Sequence, residues 1–205
     1  MSIPLAGMLG LVLATTGLVA AARAGDVDFS DPVNALPAPP EGAPGFPSRD
    51  ANLDALLGSE SARRAFRDAI EGRGLVLDSF SCHGNVLHPD AAFRKSEQEV
   101  FQKTVRLASL MGVERVNTFS GCPGDSDAST APNWVTCPWP PDFLRVLDYQ
   151  WNEKAIPYWR EQNAFLEEHN VKACLEMHPG FIVYNPETML KLNKAAGKNV
   201  GANFD

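Results

Sequence analysis

From residue 53 onward, the apolar positions alternate between two spacings. Stretches with apolar residues three or four positions apart predict amphipathic helices, and short continuous apolar runs between them predict buried strands. The predicted helices cover residues 59–72, 96–111, 142–169 and 186–196. The predicted strands cover residues 75–82, 113–119, 171–176 and 199–205. Short apolar strands that alternate with helices predict an α/β fold with a parallel sheet and right-handed crossover connections.

Two features interrupt this alternation. Pro157 falls inside the predicted helix 142–169. Because proline donates no N–H and clashes with the preceding turn, we expect a kink or break near Ile156. A long loop before that helix carries Trp134 and Trp139. Loops of this length are usually either functional or disordered, and two tryptophans favour an ordered one.

The first fifty residues do not follow the alternation. Residues 1–25 form an apolar segment with no charged residue between positions 3 and 22. Three interpretations of it stay open: a signal peptide, a membrane span, or an aberrant N-terminus with no structural role. Residues 26–52 are rich in proline and glycine and predict a linker. We therefore expect ordered structure to begin near Leu53 and one domain to cover residues 53–205.

The composition of the chain mainly argues against particular kinds of partner and of cysteine site. The net charge of -7 disfavours nucleic acid and an acidic membrane surface, because either partner needs a basic face. The four cysteines contain no Cys-x-x-Cys pair, which disfavours a disulfide scaffold and favours free thiols in a reducing compartment. A zinc site built from Cys82, His83 and Cys122 stays an alternative.

The candidate chemistry lies around Glu176 and His178. Side chains alternate faces along a strand, so these two positions point the same way, directly before a Pro-Gly turn. Such a pair can bind a metal or act as an acid and a base, whereas the alternative is a solvated glutamate beside a turn-capping histidine. In parallel α/β folds, chemistry gathers at the carboxyl ends of the strands. The other polar residues predicted at those ends are His83, His88, Asp125, Asp127 and Asp205.

Five motifs then occur in a characteristic order. They are SCHGN (81–85) with LHPD (87–90), TFSGCPG (118–124), NWVTCPWPP (133–141), LEMHPG (175–180) and GANFD (201–205). Together they resemble the sugar phosphate isomerase/epimerase family, a group of xylose isomerase-like TIM barrels related in fold to endonuclease IV. The resemblance covers roughly residues 53–205 and implies a (β/α)₈ barrel.

The resemblance also implies a site. Glu176 and Asp205 match acidic ligands of a divalent metal, which could be Mn, Mg, Co or Zn. Glu176 would also be the catalytic group that moves a proton next to the sugar carbonyl, through a metal-stabilised enediolate. His83 and His178 lie where relatives contact substrate. Trp139 would add an apolar wall for the sugar ring, and loop packing is its alternative role.

Only part of the family pattern is recognisable in this chain. Only about strands three to six of the eight are recognisable, so we expect a partial TIM barrel with an irregular or helical N-terminal extension. Such a truncated chain is expected to be inactive or weakly active by itself. Its open sheet edges would favour association, so a homo-oligomer stays open.

The expected function is that of a metal-dependent sugar (phosphate) isomerase or epimerase. The expected partner is a small-molecule sugar or sugar phosphate, with no nucleic acid and no membrane. Two alternatives stay open: a non-catalytic remnant or interaction fragment, and an endonuclease IV-like metal-dependent phosphodiesterase. The expected location is the cytoplasm, or outside the cell if residues 1–24 act as a signal peptide.

Overall fold

The fold is built on one five-stranded sheet. The computed structural model describes residues 19–24 and 49–204, with side chains described from residue 53 onward. The strands lie in chain order across the sheet. They are β1 (Val19–Ala24), β2 (Leu75–Ser81), β3 (Arg115–Thr118), β4 (Lys172–Glu176) and β5 (Val200–Asn203). Strands β2 to β5 are parallel, which confirms the predicted α/β fold with parallel strands.

Helices connect these parallel strands. They are α1 (Arg49–Gly58), α2 (Glu60–Glu71), α3 (Ala91–Met111), α4 (Pro141–Asp148), α5 (Ile156–Glu168) and α6 (Pro186–Ala196). The predicted helix 186–196 agrees with α6, whose first turn is closed by a capping box between Asn185 and Thr188. The predicted helix 59–72 corresponds to α2, where the Ser59 side chain accepts the N–H of Ala62 at 3.2 Å.

Helix α3 begins five residues before the predicted start at Ser96. Its N-terminal cap is Asp90, whose Oδ1 accepts the backbone N–H of Phe93 at 2.8 Å. The Asp90 side chain therefore satisfies a backbone donor of the first turn that would otherwise have no partner. At the other end, Gly112 takes a left-handed conformation with φ 65, as a helix C-terminus commonly requires.

The predicted helix 142–169 is divided into three parts. A π-helical turn, Tyr149–Ala155, lies between α4 and α5. Its last bond runs from the N–H of Ile156 to the carbonyl of Trp151, five residues earlier. Pro157 follows directly and cannot donate an N–H, so the regular α-helical ladder is interrupted where the sequence predicts a break.

The N-terminal extension is helical at α1, as expected, and it also contains a strand. Strand β1 pairs antiparallel with β2, with Val19 opposite Ser81. An alanine-rich strand has weak β propensity and gives no sequence signal, but pairing satisfies the backbone groups along the edge of β2. Helix α1 also begins at Arg49, inside the predicted linker. The predictions for residues 1–18 and 25–48, and for Asp205, fall outside the described residues.

The core lies between the sheet and the helices that cover one of its faces. Fully buried side chains from adjacent strands, including Phe80, Val116 and Leu175, pack against those helices. Trp159 of α5 is also fully buried and meets the ring of Phe101 edge-on, with centroids 5.7 Å apart. This packing fixes the strands and therefore the positions of the loops that follow them. None of the helices in the described part of the chain has the combined length and apolar character that a membrane crossing requires.

Candidate functional site at the carboxyl ends of the strands

Three adjacent parallel strands place polar and aromatic side chains at one edge of the sheet. His83 follows β2, Phe119 follows β3 directly, and Glu176 is the last residue of β4. Because the carboxyl ends of parallel strands meet at the same edge, these residues lie close together although the chain separates them widely. His178 follows β4 by two residues and belongs to the same cluster.

The central contact joins His83 to Glu176. The imidazole Nε2 of His83 lies 3.2 Å from Oε2 of Glu176, so an N–H on that nitrogen would donate to the carboxylate. The glutamate side chain is 18% exposed and the histidine side chain is 35% exposed. The carboxylate is therefore held in a fixed orientation while a small molecule can still reach it.

Phe119 lies between the two histidines. Its ring centroid is 4.5 Å from that of His83 and 5.1 Å from that of His178. Phe181 stacks on Phe119 at a centroid distance of 4.2 Å and an interplanar angle of 19°. The two phenylalanines thus give the polar cluster an apolar side, as a site that binds a small organic molecule usually has.

The local contact of His178 determines which of its nitrogens is available. Nδ1 lies 2.6 Å from the carbonyl oxygen of Pro179, and a carbonyl oxygen can only accept. Nδ1 must therefore carry the proton in this contact. In the neutral imidazole, Nε2 is then the nitrogen with a lone pair, able to accept a proton or bind a metal.

Hydrogen bonds tie together the loops that carry the site. Ser120 Oγ accepts the backbone N–H of Val183 at 2.9 Å, and the Ser120 carbonyl accepts Nε1 of Trp159 at 2.9 Å. Trp134 Nε1 donates to the carbonyl of Phe181 at 2.9 Å. The loops after β3 and β4 are therefore fixed to each other and to the core, which holds Phe181 against Phe119.

The structure brings together three of the residues that the sequence singles out, namely His83, Glu176 and His178. Trp139 is 72% exposed, and none of the contacts found among the described residues joins it to this cluster. Asp205 is outside the described residues, although β5 runs beside β4 with Asn203 opposite Glu176.

Three aromatic residues of the site have no signal in the sequence, namely Phe119, Phe181 and Trp134. Phe119 counts there as the end of an apolar strand, and an aromatic residue at that position gives no separate signal. Phe181 follows the Pro-Gly turn, where only the loop conformation brings its ring back onto Phe119. Of the two loop tryptophans, Trp134 contacts the site's loops, whereas Trp139 is the one that the sequence favours.

The alternative zinc site from Cys82, His83 and Cys122 is wrong. Within residues 53–204, no group of three or more His, Cys, Asp and Glu side chains is placed to hold a metal ion. Burial raises the pKa of the Cys122 thiol to about 11, so this residue stays a neutral, poorly ligating thiol. The two loops carry these residues at the same edge, but the cysteines belong to the packed interior.

The side chains of the cluster around Glu176 are nevertheless of the types that bind divalent cations. Glu176 offers carboxylate oxygens, and His178 Nε2 offers a lone pair at the same edge of the sheet. Carboxylate and imidazole are the usual ligands for first-row divalent metals in proteins. The described residues supply part of such a ligand set, and Glu176 is its acidic member.

Comparison with known proteins identifies the family. The model of the xylose isomerase-like TIM barrel family matches residues 42–205. The chain belongs to this family. The family and the fold that the motifs indicate are therefore confirmed.

Three proteins are similar to this chain over 72–78% of its length. The uncharacterised protein YfiH of Bacillus subtilis is 40% identical over 162 residues, which are 78% of this chain and 51% of YfiH. A xylose isomerase-like TIM barrel protein from Mycobacterium smegmatis, solved in complex with magnesium, is 20% identical with a TM-score of 0.47, covering 72% of this chain and 46% of that one. A putative sugar phosphate isomerase/epimerase from Anabaena variabilis is 18% identical with a TM-score of 0.45, covering 78% and 49%. The chain spans about half the length of each.

Proposed function

We propose that the cluster around Glu176 belongs to a metal-dependent sugar or sugar phosphate isomerase or epimerase. The observation that carries the proposal is the 3.2 Å contact between Glu176 and His83 at the carboxyl ends of β4 and β2. In barrels of this architecture, catalytic groups occupy that edge. Family membership makes a sugar the natural substrate class for this carboxylate.

In this proposal, Glu176 is the catalytic group. Its carboxylate takes the proton from the carbon next to the substrate carbonyl, and the electron pair of the broken C–H bond forms the enediolate. Return of the proton to the former carbonyl carbon, while the hydroxyl proton moves to the former carbonyl oxygen, gives the isomer. An epimer forms when a second proton donor protonates the original carbon from the opposite face and Glu176 releases its proton to solvent. A positioned general base contributes about 10²–10⁴-fold to such a step.

The neighbours of Glu176 would orient the base and the sugar. His83 is hydrogen-bonded to the carboxylate and limits its rotation. His178 presents Nε2, which can accept a hydroxyl proton of the substrate, and the Phe119–Phe181 stack offers an apolar surface to the sugar's carbon face. Trp139 stays a proposed substrate contact on an exposed part of the preceding loop.

A divalent cation bound by Glu176 and Asp205 would supply polarisation of the sugar's carbonyl oxygen. Two observations support this pairing of ligands. Asn203 lies opposite Glu176 in adjacent parallel strands, and Asp205 follows Asn203 by two positions in the sequence. Carboxylates from neighbouring strand ends are a common source of ligands for Mg²⁺ and Mn²⁺.

The division of the chain into an apolar N-terminal segment (1–25), a linker (26–52) and a barrel-like domain (53–205) also stays a proposal.

Deuterium exchange tests this function directly. The purified chain is incubated in D₂O with Mn²⁺ or Mg²⁺ and a panel of ketohexoses, aldoses and their phosphates. NMR follows deuterium at the carbon next to the carbonyl. Because the label accumulates, even slow proton transfer by a weakly active chain is detected. We expect incorporation into at least one sugar and a loss of at least about 100-fold in Glu176→Gln.

Glu168→Gln is the matched control. Glu168 is an exposed carboxylate in the last turn of α5, at the opposite end of the strand–helix unit from the site. This variant should exchange deuterium at the rate of the original chain. Equal exchange by Glu176→Gln and Glu168→Gln, or no exchange with any sugar of the panel, would contradict the proposal.

A further inference from the structure

The three loops at the carboxyl ends of β2, β3 and β4 contain no basic residue. They cover residues 82–90, 119–140 and 177–185, and neither lysine nor arginine occurs in any of them. The acidic residues in the same loops are Asp90, Asp125 and Asp127. A phosphate group carries about −1.5 to −2 charges at neutral pH and is usually bound by arginine or lysine. These loops therefore offer no cationic side chain to the phosphate of a sugar phosphate.

The first basic residue after each loop is engaged by the protein. Nη1 of Arg94 donates to two backbone carbonyls of the loop after β2, at 2.6 and 2.9 Å. Arg145 forms an ion pair with Asp142. Nζ of Lys191 lies 4.1 Å from the centroid of the Trp151 ring. A phosphate would have to replace one of these contacts to recruit any of the three cations.

The helices that follow these loops also have N-termini that are closed to an anion. A helix N-terminus binds phosphate through its free backbone N–H groups. In α3, the carboxylate of Asp90 already accepts the N–H of Phe93 at 2.8 Å. In α6, the side chain of Asn185 accepts the N–H of Thr188 at 2.8 Å. Pro186, at the start of α6, has no N–H to donate.

Each of these helices also has a carboxylate at its N-terminal end. Asp90 caps α3, Asp142 lies in the first turn of α4, and Glu187 lies in the first turn of α6. A carboxylate at this position interacts favourably with the positive end of the helix dipole. It also repels a second anion that approaches the same end. The elements that surround the site thus disfavour a phosphate by charge as well as by hydrogen bonding.

The cluster around Glu176 offers groups that match a neutral sugar instead. His178 Nε2 can accept a proton from a hydroxyl, because Nδ1 carries the ring proton. Asn203 lies opposite Glu176 in the adjacent strand, and its amide can both donate to and accept from hydroxyls. The stacked rings of Phe119 and Phe181 offer an apolar surface to the carbon face of a sugar.

We propose that this site takes an uncharged, unphosphorylated sugar and discriminates against the corresponding sugar phosphate. The inference rests on the proposed function, because it selects between the two substrate classes that the function leaves open. The selection is electrostatic: the neutral sugar meets hydroxyl-binding groups, whereas a phosphate meets carboxylates and no unengaged cation of these loops. Like charges brought together in a binding site act against the wrong partner.

Sugar alcohols test the preference without any reaction. D-Mannitol and D-sorbitol have no carbonyl group, so calorimetry and saturation-transfer NMR with Mg²⁺ present measure their binding alone. Each is compared with its terminal phosphate ester. We expect at least one neutral alcohol to bind at least about tenfold more tightly than its ester. Raising the ionic strength from about 0.01 M to about 1 M should reduce this ratio, because salt screens the repulsion of the phosphate.

Deuterium exchange with D-fructose and D-fructose 6-phosphate separates this inference from the proposed chemistry. Faster exchange into the unphosphorylated member supports both. Faster exchange into the phosphate would overturn the inference and leave the proposed function in place. Preferential binding of the neutral alcohols without exchange into any sugar would contradict the proposed chemistry and leave the inference in place.

Charge reversal at Glu187 tests the electrostatic origin of the preference. At an ionic strength of about 0.01 M a charge acts over about 30 Å. Glu187→Lys should therefore reduce the preference for the neutral alcohol by at least about threefold, and Glu187→Gln should change it in the same direction. Glu168→Lys is the matched control, because Glu168 is an exposed carboxylate in the last turn of α5. Thermal unfolding verifies that the variants are folded.

Three results of the binding experiments would overturn the inference. The first is binding of a phosphate ester as tight as that of its neutral alcohol, or tighter. The second is no binding of either neutral alcohol by the original chain. The third is a preference that changes equally in Glu187→Lys and Glu168→Lys.

Discussion

Ser120 joins the loops that carry the site to the core, and replacing it by alanine isolates one hydrogen bond. Ser120 is fully buried, and its Oγ accepts the backbone N–H of Val183 at 2.9 Å. Val183 is also fully buried, so its N–H has no access to water once Oγ is gone. The bond from Trp159 to the Ser120 carbonyl involves the main chain and is unaffected by the change.

The loss of stability in Ser120→Ala depends on the Val183 N–H that no longer has an acceptor. Serine and alanine share the Cβ atom, so Ser120→Ala removes a single oxygen and creates little empty space. The main cost is a buried N–H without an acceptor, which destabilises a protein by about 1–3 kcal/mol. We therefore expect the free energy of unfolding to fall by about 1–3 kcal/mol.

Urea unfolding, followed by tryptophan fluorescence and circular dichroism, measures this difference. Coinciding transitions from the two probes justify a two-state treatment. Ser109→Ala is the control, because Ser109 is an exposed residue of α3 and its replacement should change stability by no more than about 0.5 kcal/mol. A change of less than about 0.5 kcal/mol for Ser120→Ala would refute the reasoning, since Val183 would then have another partner.

Three further predictions concern backbone strain, pH and thiol reactivity. Gly121 has φ 86, and an added Cβ would lie 2.7 Å from Cγ of Leu87. Gly121→Ala should therefore lower the free energy of unfolding, measured with urea, by more than the roughly 1–2 kcal/mol of left-handed strain alone. Hydrogen bonding from Lys154 holds the pKa of the Asp127 carboxyl below its usual value. The pair of Asp127 and Lys154 therefore stabilises the folded chain at pH values above about 4, the pKa of an unfolded aspartate, and this stabilisation is lost as the pH falls through the lower pKa of the folded chain. An NMR titration should show the pKa of Asp127 rising in Lys154→Met. Burial raises the pKa of the Cys122 thiol to about 11, so at pH 8 iodoacetamide should label it only after urea unfolding, and rapid labelling of the folded chain would contradict its burial.

The parallel part of the fold follows from the sequence because each of its elements has a local signal. The predicted strand 75–82 and the predicted helix 186–196 agree with β2 and α6 within one residue, since apolar spacing and capping residues mark their ends. The interruption near Ile156 follows from Pro157 alone. The proline predicts a break, although not that the break is a π-helical turn.

Strand β1 could not be predicted in the same way. Its sequence, Val-Ala-Ala-Ala-Arg-Ala, shows no alternation and contains only one β-branched residue, Val19. It becomes a strand by pairing with β2, more than fifty positions later in the chain. Such an element is specified by its partner and not by its own residues.

The site is predictable in its polar residues and not in its aromatic ones. Glu176 and His178 follow from alternation along one strand, and the rule for parallel strand ends brings His83 to the same edge. The position of Phe181 against Phe119 depends on the path of the loop after β4, which hydrogen bonds to Ser120 and Gly121 determine. Those bonds connect residues about sixty positions apart and leave no local pattern.

If Glu176 and Asp205 hold a divalent cation and His83 and His178 lie close to it, Mn²⁺ should act first on the signals of these two histidines. Titration with Mn²⁺, followed by the NMR signals of the four histidines, tests it most directly, because bound Mn²⁺ broadens nearby signals. The signals of His83 and His178 should broaden at lower Mn²⁺ concentrations than those of His88 and His169, and Glu176→Gln should remove this difference. Equal broadening of all four signals, or selective broadening that persists in Glu176→Gln, would contradict a cation site at Glu176.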